Sequence, residues 1–169
     1  MRYTDYQPPH FDLLGPMVFN LGSDFTLLDR IQAFDAIDGE ISNRITMRSS
    51  TVMRNVAGTY QIEVSVKNSM GDEIFLPLSV IVDRITSKTP TLTLSDYMIY
   101  VRRGATPDFQ SLITSAVDPL GDGQSHPQDV VINSSAYDPK TPGTYEIFYY
   151  YTSAATGETA QSILVVVVQ

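Results

Sequence analysis

The stretch Ala57-Gly58-Thr59-Tyr60-Gln61-Ile62 returns 85 residues later as Pro142-Gly143-Thr144-Tyr145-Glu146-Ile147. The residues after each copy match as well: an alternating run, a glycine turn (Gly71-Asp72-Glu73, Gly157-Glu158-Thr159), then an apolar run ending in Val80-Ile81-Val82 or Val165-Val166-Val167. Upstream, Gly22, Phe25 and Ile31 answer to Gly104, Phe109 and Ile113. Self-similarity at a fixed spacing outranks local propensity when a fold is read. The chain therefore reads as two related halves, residues 7–84 and 88–169, joined by the polar stretch Asp83-Arg84-Ile85-Thr86-Ser87-Lys88-Thr89-Pro90. So short a joint limits their relative motion.

Within each half the pattern is that of strands. Tyr60, Ile62, Val64 and Val66 alternate with Gln61, Glu63, Ser65 and Lys67, the period of a half-buried strand. Ile74, Leu76, Leu78, Val80 and Val82 share one face of its partner, and Asn68-Ser69-Met70-Gly71-Asp72 forms the hairpin loop between them. Shorter strands are expected at residues 10–13, 17–20, 29–34 and 45–47, and in the second half at 91–94, 98–101, 111–116, 130–133, 145–152 and 159–168. No stretch sustains a 3.6-residue apolar period over three turns, although Leu27 to Ala36 scores as a short helix by propensity. Many short strands with Gly, Pro and Asp at the joints predict an all-β chain of two tandem antiparallel β-sandwiches.

Composition narrows the chemistry. The 169 residues are 43% hydrophobic and 18% charged, which suits a folded soluble chain and excludes intrinsic disorder. There is no cysteine, hence no disulfide, thiolate metal site or thiol catalysis. Nineteen acidic against eleven basic residues leave a net charge of −8, which repels nucleic-acid phosphates and anionic membrane surfaces. The longest aliphatic run, Ile163 to Val168, falls far short of the roughly 20 residues a span requires, so no membrane embedding is expected. The first ten residues lack the apolar core of a secretion signal and read as an internal boundary of a longer protein.

Three motifs together, Asp35-Ala36-Ile37-Asp38-Gly39-Glu40, Ala57-Gly58-Thr59-Tyr60 and Asn68-Ser69-Met70-Gly71-Asp72, resemble the bacterial immunoglobulin-like repeats of Gram-positive surface proteins. The resemblance covers residues 7–84. The second half looks like a diverged copy, with Asp118-Pro119-Leu120-Gly121-Asp122-Gly123 at the acidic turn and Thr152 to Gly157 at the hairpin. It implies immunoglobulin-like sandwiches in an exported protein of the cell surface or cell wall, serving as spacer, stalk or adhesion module beside other domains of the same polypeptide. It transfers no catalytic residue.

The candidate sites come from chemistry. Gly58 and Gly143 precede tyrosines that start central strands, and Tyr60 and Tyr145 are expected to bury their rings and return their hydroxyls to a loop backbone. Asp35, Asp38 and Glu40 place three carboxylates within six residues, as a calcium loop requires; a full cage needs six to eight oxygens, and Asp38-Gly39 is equally a tight turn. No other cofactor is expected. Both histidines, His10 and His126, adjoin prolines without a nucleophile motif, so no enzymatic activity is expected. Seven of the ten tyrosines lie in the second half, and Phe148 and Tyr150 occupy the strand face that should be polar. An exposed pair there would stack on a glycan or seat a partner protein; otherwise a loop or the other half covers it.

Overall fold

A computed structural model describes residues 6–169, and they are all-β, with strands and short 3-10 turns. The strands are β1 (His10–Leu13), β2 (Val18–Asn20), β3 (Ile31–Asp35), β4 (Gly39–Glu40), β5 (Thr46–Ser50), β6 (Gly58–Lys67) and β7 (Glu73–Asp83) in the first half. The second half has β8 (Thr91–Leu94), β9 (Met98–Val101), β10 (Ile113–Val117), β11 (Val131–Asn133), β12 (Gly143–Thr152) and β13 (Thr159–Val168). They form four sheets: β1-β3-β4 and β2-β7-β6-β5 from the first half, β8-β10 and β9-β13-β12-β11 from the second. The strand order corresponds in the two halves except that β4 has no strand counterpart in the second, and among the described residues no ladder joins one half to the other.

The alternation works as physics demands. On β6, Tyr60, Ile62, Val64 and Val66 are buried opposite Val80, Leu78, Leu76 and Ile74 of β7. Against them from the facing sheet pack Phe11, Leu13, Ile31 and Ala33. In the second half Ile147, Tyr149 and Tyr151 pack on Leu94, Ile113 and Ala116. Tyr149 is fully enclosed, and its hydroxyl donates to the carbonyl of Phe109 at 2.9 Å, which removes the cost of burying a phenol. The likeness of the two halves extends to single hydrogen bonds. The N–H of Ala33 donates to Ser42 Oγ at 3.1 Å, and that of Ala116 donates to Ser125 Oγ at 3.0 Å.

Two expectations need correction. The sheets are not wholly antiparallel: β2 runs parallel to β7, and β9 parallel to β13. After β1 the chain crosses to the other sheet and returns along its last strand, an edge position that sequence alternation does not orient. The strand expected at 29–34 starts at Ile31, and the one expected at 111–116 starts at Ile113, because 3-10 turns occupy Leu27–Arg30 and Phe109–Leu112. In the latter turn the Asp108 carboxylate accepts from the N–H groups of Gln110 and Ser111, holding a turn where periodicity suggests strand. An apolar contact also joins the halves: Met98 and Val165, on the outer face of the second half's sheet, pack into the first half's cluster, while the second half keeps a core of its own.

That shared cluster results from how the halves meet. Ser79 on the outer face of β7 binds Glu146 of β12, Asp83 at the end of β7 binds Gln161 beside Tyr150, and Leu76 shares a cleft with Thr144. β7 and β12 therefore run alongside one another in the same direction. Because β12 is the counterpart of β6, which runs opposite to β7, the second half lies back along the first in the opposite sense. Residues 84–90 make the reversal, with Thr89 buried and the Thr86 and Thr89 hydroxyls donating to Glu158.

Candidate functional site

The fold-back opens a cleft between β1, β7, β9 and the ends of β12 and β13. One part has a volume of about 510 Å³ and is lined by Phe11, Ile74, Phe75, Met98, Tyr100 and Val167, with Gln7, Thr144 and Gln169 at its rim. A second part of about 400 Å³ adjoins it through His10, Phe11, Met98 and Tyr100 and continues to Asp12, Phe34 and Asp96. Gln7 and Gln169, near the two ends of the chain, line the same cavity. Sequence reasoning missed this site entirely, because each wall comes from a different strand and only the docking of the halves assembles it.

Its walls are held by backbone and ring contacts. Tyr100 is the hinge pin: its hydroxyl donates to the carbonyl of Phe11 at 2.6 Å and accepts from the Phe11 N–H at 3.1 Å. Burial pushes the Tyr100 phenol up to about 12, so it stays protonated and donating throughout the neutral range. His10 stacks on Phe34 at 5.7 Å and meets Tyr100 edge-on at 6.0 Å. Phe75 is half exposed in the wall opposite, with Arg48 6.0 Å from its ring centre. Among the described residues, neither part of the cleft is lined by a lysine or an arginine; the ionisable groups there are His10, Asp12, Asp96 and Tyr100.

The sequence-derived candidates fall elsewhere. Asp35 is buried at the end of β3 and accepts from the N–H groups of Ile37 and Asp38, both at 3.0 Å, and from Asn68 Nδ2 at 3.0 Å. Burial works to raise its pKa, but the bonds from Asn68, Asp38 and Ile37 outweigh it and hold the carboxyl below the usual range. Asp38 is paired with Arg44 at 2.8 Å and accepts from the N–H and hydroxyl of Ser69, both at 2.7 Å. Glu40 is exposed and accepts from Ser42 at 3.2 Å. The three carboxylates thus face different protein donors, and among the described residues no group of three or more His, Asp or Glu side chains is arranged to hold a metal ion.

The counterpart of Asp35 in the second half is Asp118, also buried, which accepts from Ser153 Oγ at 2.8 Å. One pattern serves both halves: a carboxylate under the β6–β7 or β12–β13 hairpin holds its first loop residue. Tyr60 donates to the carbonyl of Val56 and Tyr145 to that of Thr141 at 2.7 Å, each four residues back. Each ring lies over its glycine. A Cβ at Gly58 would meet the Tyr60 ring at 3.6 Å and one at Gly143 the Tyr145 ring at 3.7 Å, ordinary contact distances.

Phe148 and Tyr150 are half-buried on the outer face of β12, opposite Ile163 and Gln161 of β13. Glu146, Ile163 and Val165 share that face. Glu146 binds Ser79 of the first half through its N–H at 2.9 Å and its hydroxyl at 2.6 Å, while Ile163 and Val165 are almost fully buried. The first half therefore covers a large part of the apolar face that breaks the polar-out rule.

The fold and the cleft define a class: an all-β protein of several sheets packed face to face. No family model matches the chain. Over 138 residues, 81% of its length, it is 29% identical to the pesticidal crystal protein Cry22Aa of Bacillus thuringiensis, of which the match spans 18%. Among solved structures, a Clostridium perfringens ZmpB fragment with CBM51-2, in complex with GlcNAc, and INT domains has a TM-score of 0.45 at 13% identity, covering 95% of this chain and 42% of that one. Drosophila N-cadherin EC1-3 has a TM-score of 0.39 at 14% identity, covering 98% and 68%. Likeness at this level carries neither ligand nor partner across. Among the described residues, no helix is long and apolar enough to cross a membrane.

Proposed function

We propose that this chain is a non-catalytic structural and adhesive segment of a larger exported bacterial protein, working at the cell surface or cell wall, with residues 7–84 and 88–169 as tandem immunoglobulin-like domains. The match to only 18% of a much longer protein supports the reading as a module beside other domains. The observation that carries the mechanism is the fold-back, which brings Gln7 and Gln169 to one cleft. Two halves laid side by side add about one half's length to whatever they join, not two. They act as a compact lobe with broad side surfaces rather than as an extended stalk.

Small-angle scattering tests this directly. A folded-back chain of this length has a radius of gyration of about 15–16 Å. An elongated two-body profile with a clearly larger value would overturn the lobe and restore an end-to-end stalk. The alternative, a carbohydrate-binding accessory module that stacks sugar on Phe148 and Tyr150, has less support, because the first half occupies much of their face.

A further inference from the structure

We propose that the cleft between the halves binds a neutral oligosaccharide of two or three units, across Phe75, Tyr100 and His10. This goes beyond the structural role and moves any glycan site away from Phe148 and Tyr150. A sugar ring has an apolar C–H face and a rim of hydroxyls, so its receptor needs exposed aromatic faces beside planar amides and carboxylates. The cleft has both. Phe75 and Tyr100 are 51% and 37% exposed, and they are not needed as core filling. Tyr100 is locked by its two bonds to Phe11, so its ring is a fixed wall.

The polar rim is divided between the ends: Gln7, Thr144 and Gln169 at one, Asp12 and Asp96 at the other. Volumes of about 510 and 400 Å³ lie within the range of small-ligand sites. Charge decides the class of glycan. With Asp12 and Asp96 in its lining and a chain charge of −8, set against Arg48 beside the Phe75 ring, the balance of charge disfavours sialylated, sulfated or phosphate-bearing sugars.

The experiment is an amide chemical-shift titration of the intact chain with cellotriose, maltotriose and triacetylchitotriose, and with 3′-sialyllactose as the anionic counter-probe. At least one neutral trisaccharide should shift the amides of His10, Phe75, Tyr100 and Gln169 below about 10 mM, with 3′-sialyllactose weaker by about tenfold. Phe75→Ala should weaken binding about tenfold. Gln169→Ala, which keeps the backbone bonds to Val101 and Arg103, should weaken it about threefold. No shift with any neutral probe, shifts centred on Phe148 and Tyr150, or equal binding of the sialylated sugar would overturn the proposal. A molecule that scatters as compact yet binds none of the neutral probes overturns the cleft site alone. One that scatters as extended removes the cleft and the folded-back lobe together.

Discussion

Asp35 shows how one carboxylate organises a loop and what pH does to it. Three N–H donors converge on it, so Asp35→Ala leaves Asn68 and two backbone groups without their acceptor and should cost about 1–3 kcal/mol, read from urea unfolding. Its folded pKa lies below the unfolded value of about 4, so its contribution is present above that value and lost as pH falls through the folded one. Stability measured from pH 6 downward should decline in the wild type and decline less in Asp35→Asn; parallel curves would remove the assignment. Since Asp35 and Asp38 are already bonded to protein donors, calcium and a chelator should leave the melting midpoint unchanged. Ser162 is the opposite case. Its hydroxyl is buried on the core side of β13 without a partner among the described residues, so Ser162→Ala should stabilise the fold by about 1 kcal/mol, and a lower melting midpoint would contradict this.

At the scale of the strand, two devices hold the edges. The tyrosine at the start of β6 or β12 ties the preceding loop to the strand, so Tyr60→Phe should lower stability by about 1 kcal/mol and the melting midpoint by about 2–4 °C. Tyr145→Phe should cost less, because Tyr60 is the more buried of the two; equal losses would mean that burial does not set the difference. The second device is a stack: Arg30 lies 4.3 Å over Phe19, Phe19 stacks on Phe25 at 4.2 Å, and Arg54 lies 4.3 Å over Phe25. Arg30 also donates to the carbonyls of Pro16 and Val18 at the start of β2. Arg30→Met keeps the stem but loses the cation and its donors. Hydrogen exchange should then speed up at β2 before β6, and uniform acceleration would show that the stack does not hold that edge.

For the molecule as a whole, the docking of the halves is the decisive feature. It combines an apolar contact through Met98 and Val165 with polar ties at Tyr100, Glu146 and Gln161. Arg84 and Lys88 in the joint are exposed to trypsin. Cleavage there should leave two fragments that co-elute as one particle, because the interface does not depend on the covalent joint. In Glu146→Ala, which strips the acceptor from Ser79, the fragments should separate more readily. Immediate separation of the wild-type fragments would show that the joint, not the interface, keeps the halves together.

The sequence determined the all-β class and most strand positions, because alternation and turn residues are local; the short β4 escaped it. The strands at residues 91–94, 98–101 and 159–168 form just where the pattern put them. The faces of β6 and β12 were equally legible, including the unusual aromatic outer face of β12. The cover over that face was not. A period-2 pattern says which side chains share a surface, but not whether water, a loop or a sister sheet covers it. Only the tertiary structure decided that the halves lie back to back, because that depends on surfaces about 70 to 90 residues apart, such as Ser79 with Glu146 and Phe11 with Tyr100. The apolar contact between the halves and the cleft arise from that long-range geometry, and the parallel edge strands from pairings more than 60 residues apart within each half; no local window contains either.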